Sequence, residues 1–343
     1  MLPETMKISW LKEPGVHETG TAPVPSPKPG EVLVRVKNIG ICGSDIHMNA
    51  GTQPDVEYPV IQGHEMSGVI ADANGSAVFK DGDHVVAMPQ TFCSECDYCK
   101  QGLNNHCREL RIIGVHMNGF AQEYIALNER WVLPVPEDLP FEIGAMIEPL
   151  AVSVHAVSMA GDVKGKNVLV IGAGVIGNLA AQAAALKGAN VMIAGRTGYR
   201  LDFAKQFGIE KCVNTGKEDL SEAVKTHFGE DGADVVIEAI GVADSVNESF
   251  RQCKKKGIVV ISGIFGEYQA IDLFTLQDKE LNVVGTMMYT IDDFKESISL
   301  ASSGRIQLTP LATAVFPAEQ FAEAYKVIES KSMPVMKVLI GIS

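Results

Sequence analysis

The 343-residue chain has no apolar run approaching the roughly 20 residues that span a bilayer, and Met1–Trp10 lacks a charged-then-apolar targeting pattern. A cytoplasmic protein without a membrane partner is expected. Basic residues are also few. Twenty-nine Lys and Arg against 42 Asp and Glu leave a net charge of −13, the wrong sign for gripping phosphate backbones, so a nucleic-acid partner is excluded and a small-molecule substrate is left open. There are no internal repeats and no low-complexity tract, and 46% hydrophobic with 21% charged residues gives no sign of disorder. This length accommodates two cores of ordinary domain size. Cysteine is sparse at seven residues.

Four of those seven crowd into Cys93-x2-Cys96-x2-Cys99-x7-Cys107. Thiolates two residues apart can turn toward one centre, and a tetrahedral Zn²⁺ takes four sulfurs at about 2.3 Å. Gly102 lets the rest of the lobe fold back. Disulfides are the alternative, but in a chain of cytosolic character clustered thiols favour metal. A zinc ribbon for nucleic acid conflicts with the acidic balance.

The first 130 residues carry Pro, Gly and short β-type runs such as Glu31–Lys37, whose alternation marks one buried face. They predict an irregular all-β domain. From Lys166 the texture changes. Asn167–Gly172, Asn190–Gly195, Lys211–Asn214, Asp234–Ala239, Gly257–Gly263 and Asn282–Met287 are apolar runs of strand length, separated mostly by segments of helix length. That alternation predicts α/β structure, a parallel sheet with helices on both faces.

The second region opens on Val168-Leu-Val-Ile-Gly172-Ala-Gly174-Val175-Ile176-Gly177, followed by an Ala-rich helix over Asn178–Lys187 that Gly188 closes. Between a strand and a helix, this is the dinucleotide fingerprint. Gly172 permits the tight turn, Gly174 the approach of a diphosphate, and Gly177 the close packing of helix on strand. Val175 and Ile176 belong to the same cofactor-binding turn, at a helix end that favours anions. About 20 residues on, an NAD site places a carboxylate for the ribose 2′-hydroxyl. Here the chain has Gly195-Arg196-Thr197, with Arg200 one turn further. Two guanidinium groups and a hydroxyl suit a 2′-phosphate, which favours NADP(H) over NAD(H).

A further constellation lies upstream, Cys42-Gly-Ser44-Asp45-Ile-His47 followed by Gly63-His64-Glu65. Cys42 and His64 are suitable zinc ligands, and Glu65 or a water completes an open site of the catalytic kind. With these motifs, Phe79–Asp83 and Glu148-Pro149-Leu150, the chain from about Glu31 onward resembles the zinc-dependent medium-chain dehydrogenases/reductases, in particular the polyol branch of sorbitol, xylitol and sugar-alcohol dehydrogenases.

The resemblance implies a GroES-like β-barrel catalytic domain over 1–152, completed by 287–343, and a Rossmann cofactor domain over 153–286. It makes Cys42, His64 and Glu65 ligands of a catalytic zinc and puts Glu148 beside it, with Glu65, Glu148 or water in the fourth position. Cys93, Cys96, Cys99 and Cys107 then hold a structural zinc. Asp45 is expected to fix the His64 tautomer, Ser44 to take the alcohol proton, and His47 to pass it toward solvent. Zinc lowers the pKa of a bound water from about 16 to about 7, and a ligated secondary alcohol gains similarly before its hydride leaves for the nicotinamide. In this family the Asn282–Met287 strand and its neighbours pair across a two-fold axis, implying a homodimer or homotetramer.

Where sorbitol dehydrogenases carry Arg-Tyr, this chain has Met288-Tyr289, which removes a hydroxyl-binding donor. The loop Asn49–Tyr58, with Gly51, Pro54, Asp55 and Glu57, lines the substrate cleft in such a fold and disfavours an anionic group there. Threonine and butanediol dehydrogenases share nearly all these motifs. A non-catalytic zinc and NADPH binder is the reading from another class, and it expects the loss of Cys42, His64 or Ser44. Cys212 and Cys253 read as buried inert thiols. Met287, Met288, Met333 and Met336 read as fillers, and Pro317–Ser330 as a surface helix.

Overall fold

The computed structural model describes residues 2–53 and 56–342. Pro54 and Asp55 of the Asn49–Tyr58 loop lie outside the described residues. The chain divides into two compact units, Met1–Glu148 with Leu308–Ser343, and Pro149–Gln307. The crossing back to the first unit falls at Leu308 and not at 287, because the helix Ile291–Ser302 is fastened to the second unit. Its Asp293 Oδ2 lies 2.9 Å from His155 Nδ1, and its Glu296 pairs with Lys187 at 3.5 Å. Gln182 then exchanges hydrogen bonds with the Gln307 backbone.

In the first unit, strand Glu31–Gly40 is the hub of a seven-stranded sheet. It pairs antiparallel with Glu65–Asp72, Tyr124–Asn128 and the C-terminal strand Lys337–Gly341. Its residues are buried almost without alternation, unlike the one-sided pattern expected of Glu31–Lys37. The reason is that both faces are covered. Val32, Val34 and Val36 point into the main core, while Leu33 packs with Met6, Ile8 and Ala22 from the N-terminal hairpin Thr5–Glu13 and Val16–Pro23. Pro317 ends strand Ala312–Pro317, which runs parallel to Lys337–Gly341, and, near the helix start as expected, it also caps the 3-10 turn Ala318–Gln320 that leads into the helix. A proline lacks the N–H that a continuing ladder needs. The helix proper covers Phe321–Ser330.

The second unit is a six-stranded, all-parallel sheet. Its spatial order is Lys211–Asn214, Asn190–Gly195, Asn167–Ile171, Ala233–Glu238, Cys253–Ile261 and Asn282–Gly285. Strand order reverses beside Asn167–Ile171, the first strand of the unit. Outside the carboxyl ends of the strands at such a reversal lies the crevice that binds ligand in doubly wound sheets. Leu169, Met192, Val236, Val259 and Phe250 fill one core beneath it. The cofactor helix spans Val175–Leu186, so it begins three residues before the expected Asn178.

Among the described residues one helical stretch, Phe141–Ser158, is long and apolar enough to cross a membrane, but 78% of it is buried inside the protein. Met287 and Met333 are exposed rather than filling a core, while Cys253 is fully buried and Cys212 half-buried. Burial pushes the Cys253 thiol up to about 12 and the Cys212 thiol up to about 11, so neither is a nucleophile at neutral pH.

Candidate active site

In the first unit a short helix, Gly43–Asn49, carries three of the residues at issue, Ser44, Asp45 and His47. Cys42 is its N-cap residue, and Asp45 reaches back so that Oδ2 accepts the Cys42 N–H at 2.8 Å. The other Asp45 oxygen faces His64 Nδ1 at 3.6 Å, too long for a hydrogen bond but close enough to bias the ring electrostatically. His64 Nε2 turns the opposite way, 3.4 Å from Ser44 Oγ. Ligand atoms of Cys42, His64 and Glu65 all lie within 4.8 Å of one another.

This donor set fits a metal. One thiolate, one imidazole and one carboxylate leave a coordination position open, the arrangement of catalytic zinc. The local field agrees. Burial alone would lower the His64 pKa, yet Asp45 and Cys42 outweigh it and hold the ring well above its usual value. A field that draws a proton onto a buried imidazole also draws a dication once the ring is neutral.

Glu65 has a partner that sequence reasoning missed. Lys337, buried on the C-terminal strand, donates to Glu65 and to the Ile41 carbonyl at 3.0 Å. Burial disfavours its ammonium, but Glu65 and Cys42 keep its pKa above the ordinary lysine value. Gly40, opposite Glu65 in the sheet, makes room for the pair, since a Cβ there would fall 1.8 Å from Glu65 Oε2 and 2.8 Å from Lys337 Cε. Glu148 is buried and adds to the negative field on Lys337, but it is not one of the three clustered donors. Ser44 is buried and His47 half-exposed three residues along the same helix, so the two side chains share a face. His47 Nδ1 lies 3.2 Å from Thr52 Oγ1.

The four-cysteine lobe brings Cys93, Cys96, Cys99 and Cys107 together with all sulfurs inside 4.8 Å. Sulfur separations of 4.0 Å for Cys93–Cys99 and 3.6 Å for Cys93–Cys107 bracket the about 3.8 Å edge of a tetrahedron with 2.3 Å bonds. Backbone N–H groups of Cys96 and Glu95 point at Cys93 Sγ, and that of Glu109 at Cys107 Sγ. Backbone N–H groups of Arg108 and Cys99 hold the Cys96 thiol down to about 6, while burial pushes Cys99 up to about 12. Four sulfurs this close cannot all be anions without a cation among them. No disulfide joins any of them.

In the second unit a cleft of about 880 Å³ is lined by Gly172, Gly174, Gly195, Arg196, Thr197 and Arg200. Val175, Ile176 and Gly177 form the first turn of the helix and are not part of this lining. Gly177 is needed for approach, because a Cβ there would sit 1.7 Å from the Gly172 carbonyl oxygen. Gly174 is the helix N-cap, and a Cβ on it would meet only Arg200 Nη1, 3.9 Å away. Among the described residues neither Arg196 nor Arg200 forms a salt bridge. The Arg200 Nε donates to the Tyr199 hydroxyl at 3.1 Å. Two lining acids are occupied locally, Glu218 accepting from Asn214 N and Asp219 capping helix Leu220–Phe228.

A β-rich unit bearing a catalytic-type donor triad and a sulfur lobe, joined to a doubly wound unit with a diphosphate loop, is the architecture of a metal-assisted nicotinamide oxidoreductase. Comparison with known proteins narrows this class. Residues 28–137 match the alcohol dehydrogenase GroES-like domain, and 175–303 the zinc-binding dehydrogenase domain. The chain is 32% identical to L-galactonate-5-dehydrogenase of Escherichia coli (strain K12) over 94% of its own length and 95% of the relative's. A Sinorhizobium meliloti 1021 crystal structure bound to NADP superposes with a TM-score of 0.90 at 31% identity, covering 99% of this chain and 100% of that one. An E. coli CFT073 alcohol dehydrogenase complexed with NADH gives 0.91 at 28% identity, with coverage of 99% and 100%. The chain belongs to the zinc-binding medium-chain dehydrogenase/reductase family, among relatives that include several polyol and sugar-alcohol dehydrogenases. It is an enzyme, an NAD(P)-dependent oxidoreductase of small hydroxy compounds.

Proposed function

We propose that the enzyme interconverts a secondary alcohol of the polyol or sugar-acid type and its ketone, with zinc in both sulfur-bearing sites and NADP(H) as the hydride carrier. The observation that carries the reading is the convergence of Cys42, His64 and Glu65, with Ser44 Oγ against His64 Nε2. When bound, zinc supplies Lewis acidity toward the alcohol or ketone oxygen, and the nicotinamide supplies the two-electron acceptor or donor.

The chain's own residues do the rest. Ser44 is placed to receive the substrate hydroxyl proton, and His47, half-exposed on the same helix, passes it to solvent. Asp45 holds the helix N-terminus through Cys42 N and orients His64. Lys337 pairs with Glu65 and gives that carboxylate an alternative partner beside the open coordination position. Glu148 adds charge near the same centre.

NADP(H) is supported by two guanidinium groups in the cleft without a carboxylate partner, where an NAD site would carry an acid. A substrate with its hydroxyl inside a chain of carbons is supported by the C5 reaction named for the L-galactonate-5-dehydrogenase relative. A homodimer or homotetramer is proposed through the edge strand Asn282–Gly285.

The test is a panel of sugar alcohols, sugar acids, diols and their ketones assayed with both cofactors, before and after zinc removal. Turnover of at least one secondary alcohol, faster with NADP⁺ and abolished reversibly by chelation, is expected. Chelator-insensitive turnover, or oxidation of primary alcohols alone, rejects the reading.

A further inference from the structure

Asn178 follows the last fingerprint glycine and is fully buried, on a helix whose neighbouring side chains are Leu179, Ala180 and Ala181. Its Nδ2 lies 2.9 Å from the Ala173 carbonyl, 3.1 Å from the Gly174 carbonyl and 3.4 Å from the Arg200 carbonyl. Three acceptors from two chain segments thus converge on one amide that has two hydrogens to give. Its Oδ1 is buried and accepts no hydrogen bond. An aliphatic side chain would avoid that orphaned oxygen, so packing alone does not account for an amide here.

The segments it joins form the wall of the cleft. Ala173 and Gly174 carry the turn that faces a diphosphate, and Arg200 sits in the first turn of the next helix, Gly198–Gln206. The glycine turn has backbone support of its own, with Gly172 N donating to Ala194 O and Ala239 N to Ile171 O. The Arg200 turn likewise has its own backbone bond, Arg200 N donating to the Thr197 carbonyl at 3.1 Å, and the Asn178 amide joins it to the glycine turn.

We propose that Asn178 is a positioning residue for the cofactor. Its amide ties the Ala173–Gly174 turn to the Arg200 turn, so that the diphosphate N–H groups and the Arg200 guanidinium stand at one fixed spacing and select a 2′-phosphorylated dinucleotide. This rests on the NADP(H) reading above. Because each turn keeps its own backbone bonds, losing the amide changes the spacing between the two turns, which matters to a dinucleotide that must reach both the diphosphate N–H groups and the guanidinium. The loss should fall on NADPH and spare NADH.

The experiment is fluorescence titration of NADPH and NADH against the wild type, Asn178→Leu, Asn178→Ala and, as a reference, Arg200→Ala, with thermal unfolding of each. Asn178→Leu and Asn178→Ala should lower the NADPH-to-NADH affinity ratio by about threefold to tenfold, the size of one net hydrogen bond. The ratio is read from two ligands on the same sample, so a partly unfolded variant scales both affinities and leaves the ratio alone. A wild type that prefers NADH overturns the cofactor reading and this inference with it. A wild type that prefers NADPH, with a ratio lowered by Arg200→Ala and unmoved by either Asn178 change, overturns the role of Asn178 alone.

Discussion

Lys337 and Glu65 form a buried ion pair across 272 residues of sequence, in the space that the missing side chain of Gly40 leaves open. The pair makes Glu65 unlike an ordinary metal ligand. Its charge is already balanced by an ammonium that also donates to the Ile41 carbonyl, so the carboxylate can turn toward a metal or away from it without being left alone in the core.

Replacing Lys337 by Met separates those states. Without metal the variant leaves a buried, uncompensated carboxylate beside Cys42, which costs about 3–5 kcal/mol. With zinc bound, Glu65 has a cation within reach and the loss is smaller. Thermal unfolding of Lys337→Met with and without chelator should therefore show a wider gap between the two states than the wild type shows. An equal drop in both would mean that Lys337 supports the fold and has no bearing on the metal.

The second unit contains its own acid-labile joint. Asp293 Oδ2 accepts from Thr290 N at 2.9 Å and Thr290 Oγ1 at 2.6 Å, and lies 2.9 Å from His155 Nδ1. Burial works to raise its pKa, but the bonds from His155 and Thr290 prevail and hold the carboxyl below its ordinary value. A depressed folded-state pKa contributes stability that is fully present above the unfolded value, about 3.9, and is lost as pH falls through the lower folded value. Urea midpoints of the wild type should thus decline below about pH 4, and Asp293→Asn should be less stable at neutral pH with a shallower acid limb. An acid limb identical in both proteins counts against the assignment.

Those two joints also mark how far the sequence was legible. The sulfur lobe and the glycine fingerprint depend on local spacing, which covalent geometry preserves, and the strands of the second unit stand out because burial on both faces makes them continuous apolar runs. Lys337 carried no such signal. A single lysine before an apolar strand reads as a solvated strand end until the fold brings Glu65 to it. The late crossing at Leu308 was hidden for the same reason, since it depends on His155 meeting Asp293, 138 positions away. The helix expected over Asn178–Lys187 starts at Val175 instead, because Gly174 supplies the cap and leaves Asn178 inside.

Cofactor choice should follow Arg196. Arg196→Asp replaces a guanidinium by a carboxylate at the end of strand Asn190–Gly195. Charge-assisted bonds of about 1.5–3 kcal/mol are lost to the 2′-phosphate, and an acceptor for a free 2′-hydroxyl appears. The kcat/KM with NADP⁺ should fall by about 10- to 100-fold while that with NAD⁺ holds or rises. A variant that loses both cofactors equally would place Arg196 at the diphosphate or in the fold, away from the 2′ position.

Assembly is the remaining expectation that an experiment can reach directly. Asn282–Gly285 ends the six-stranded sheet and presents an unpaired edge, which a stable protein covers or blunts. In the same unit Leu273 is 66% and Phe274 78% exposed, with Tyr268 and Ile264 also exposed. Large apolar side chains exposed in the unit that bears this edge suit a self-complementary two-fold contact that continues the sheet. Phe274→Asp places a charge on that surface, where desolvating it on association is unfavourable. Light scattering behind size exclusion should find a dimer or tetramer for the wild type and a shift toward monomer for Phe274→Asp, with the unfolding temperature of the unit little changed because Phe274 contributes to no core. A wild type that runs as a monomer at micromolar concentration removes the basis for the contact. An assembly that survives Phe274→Asp intact moves the contact to another face.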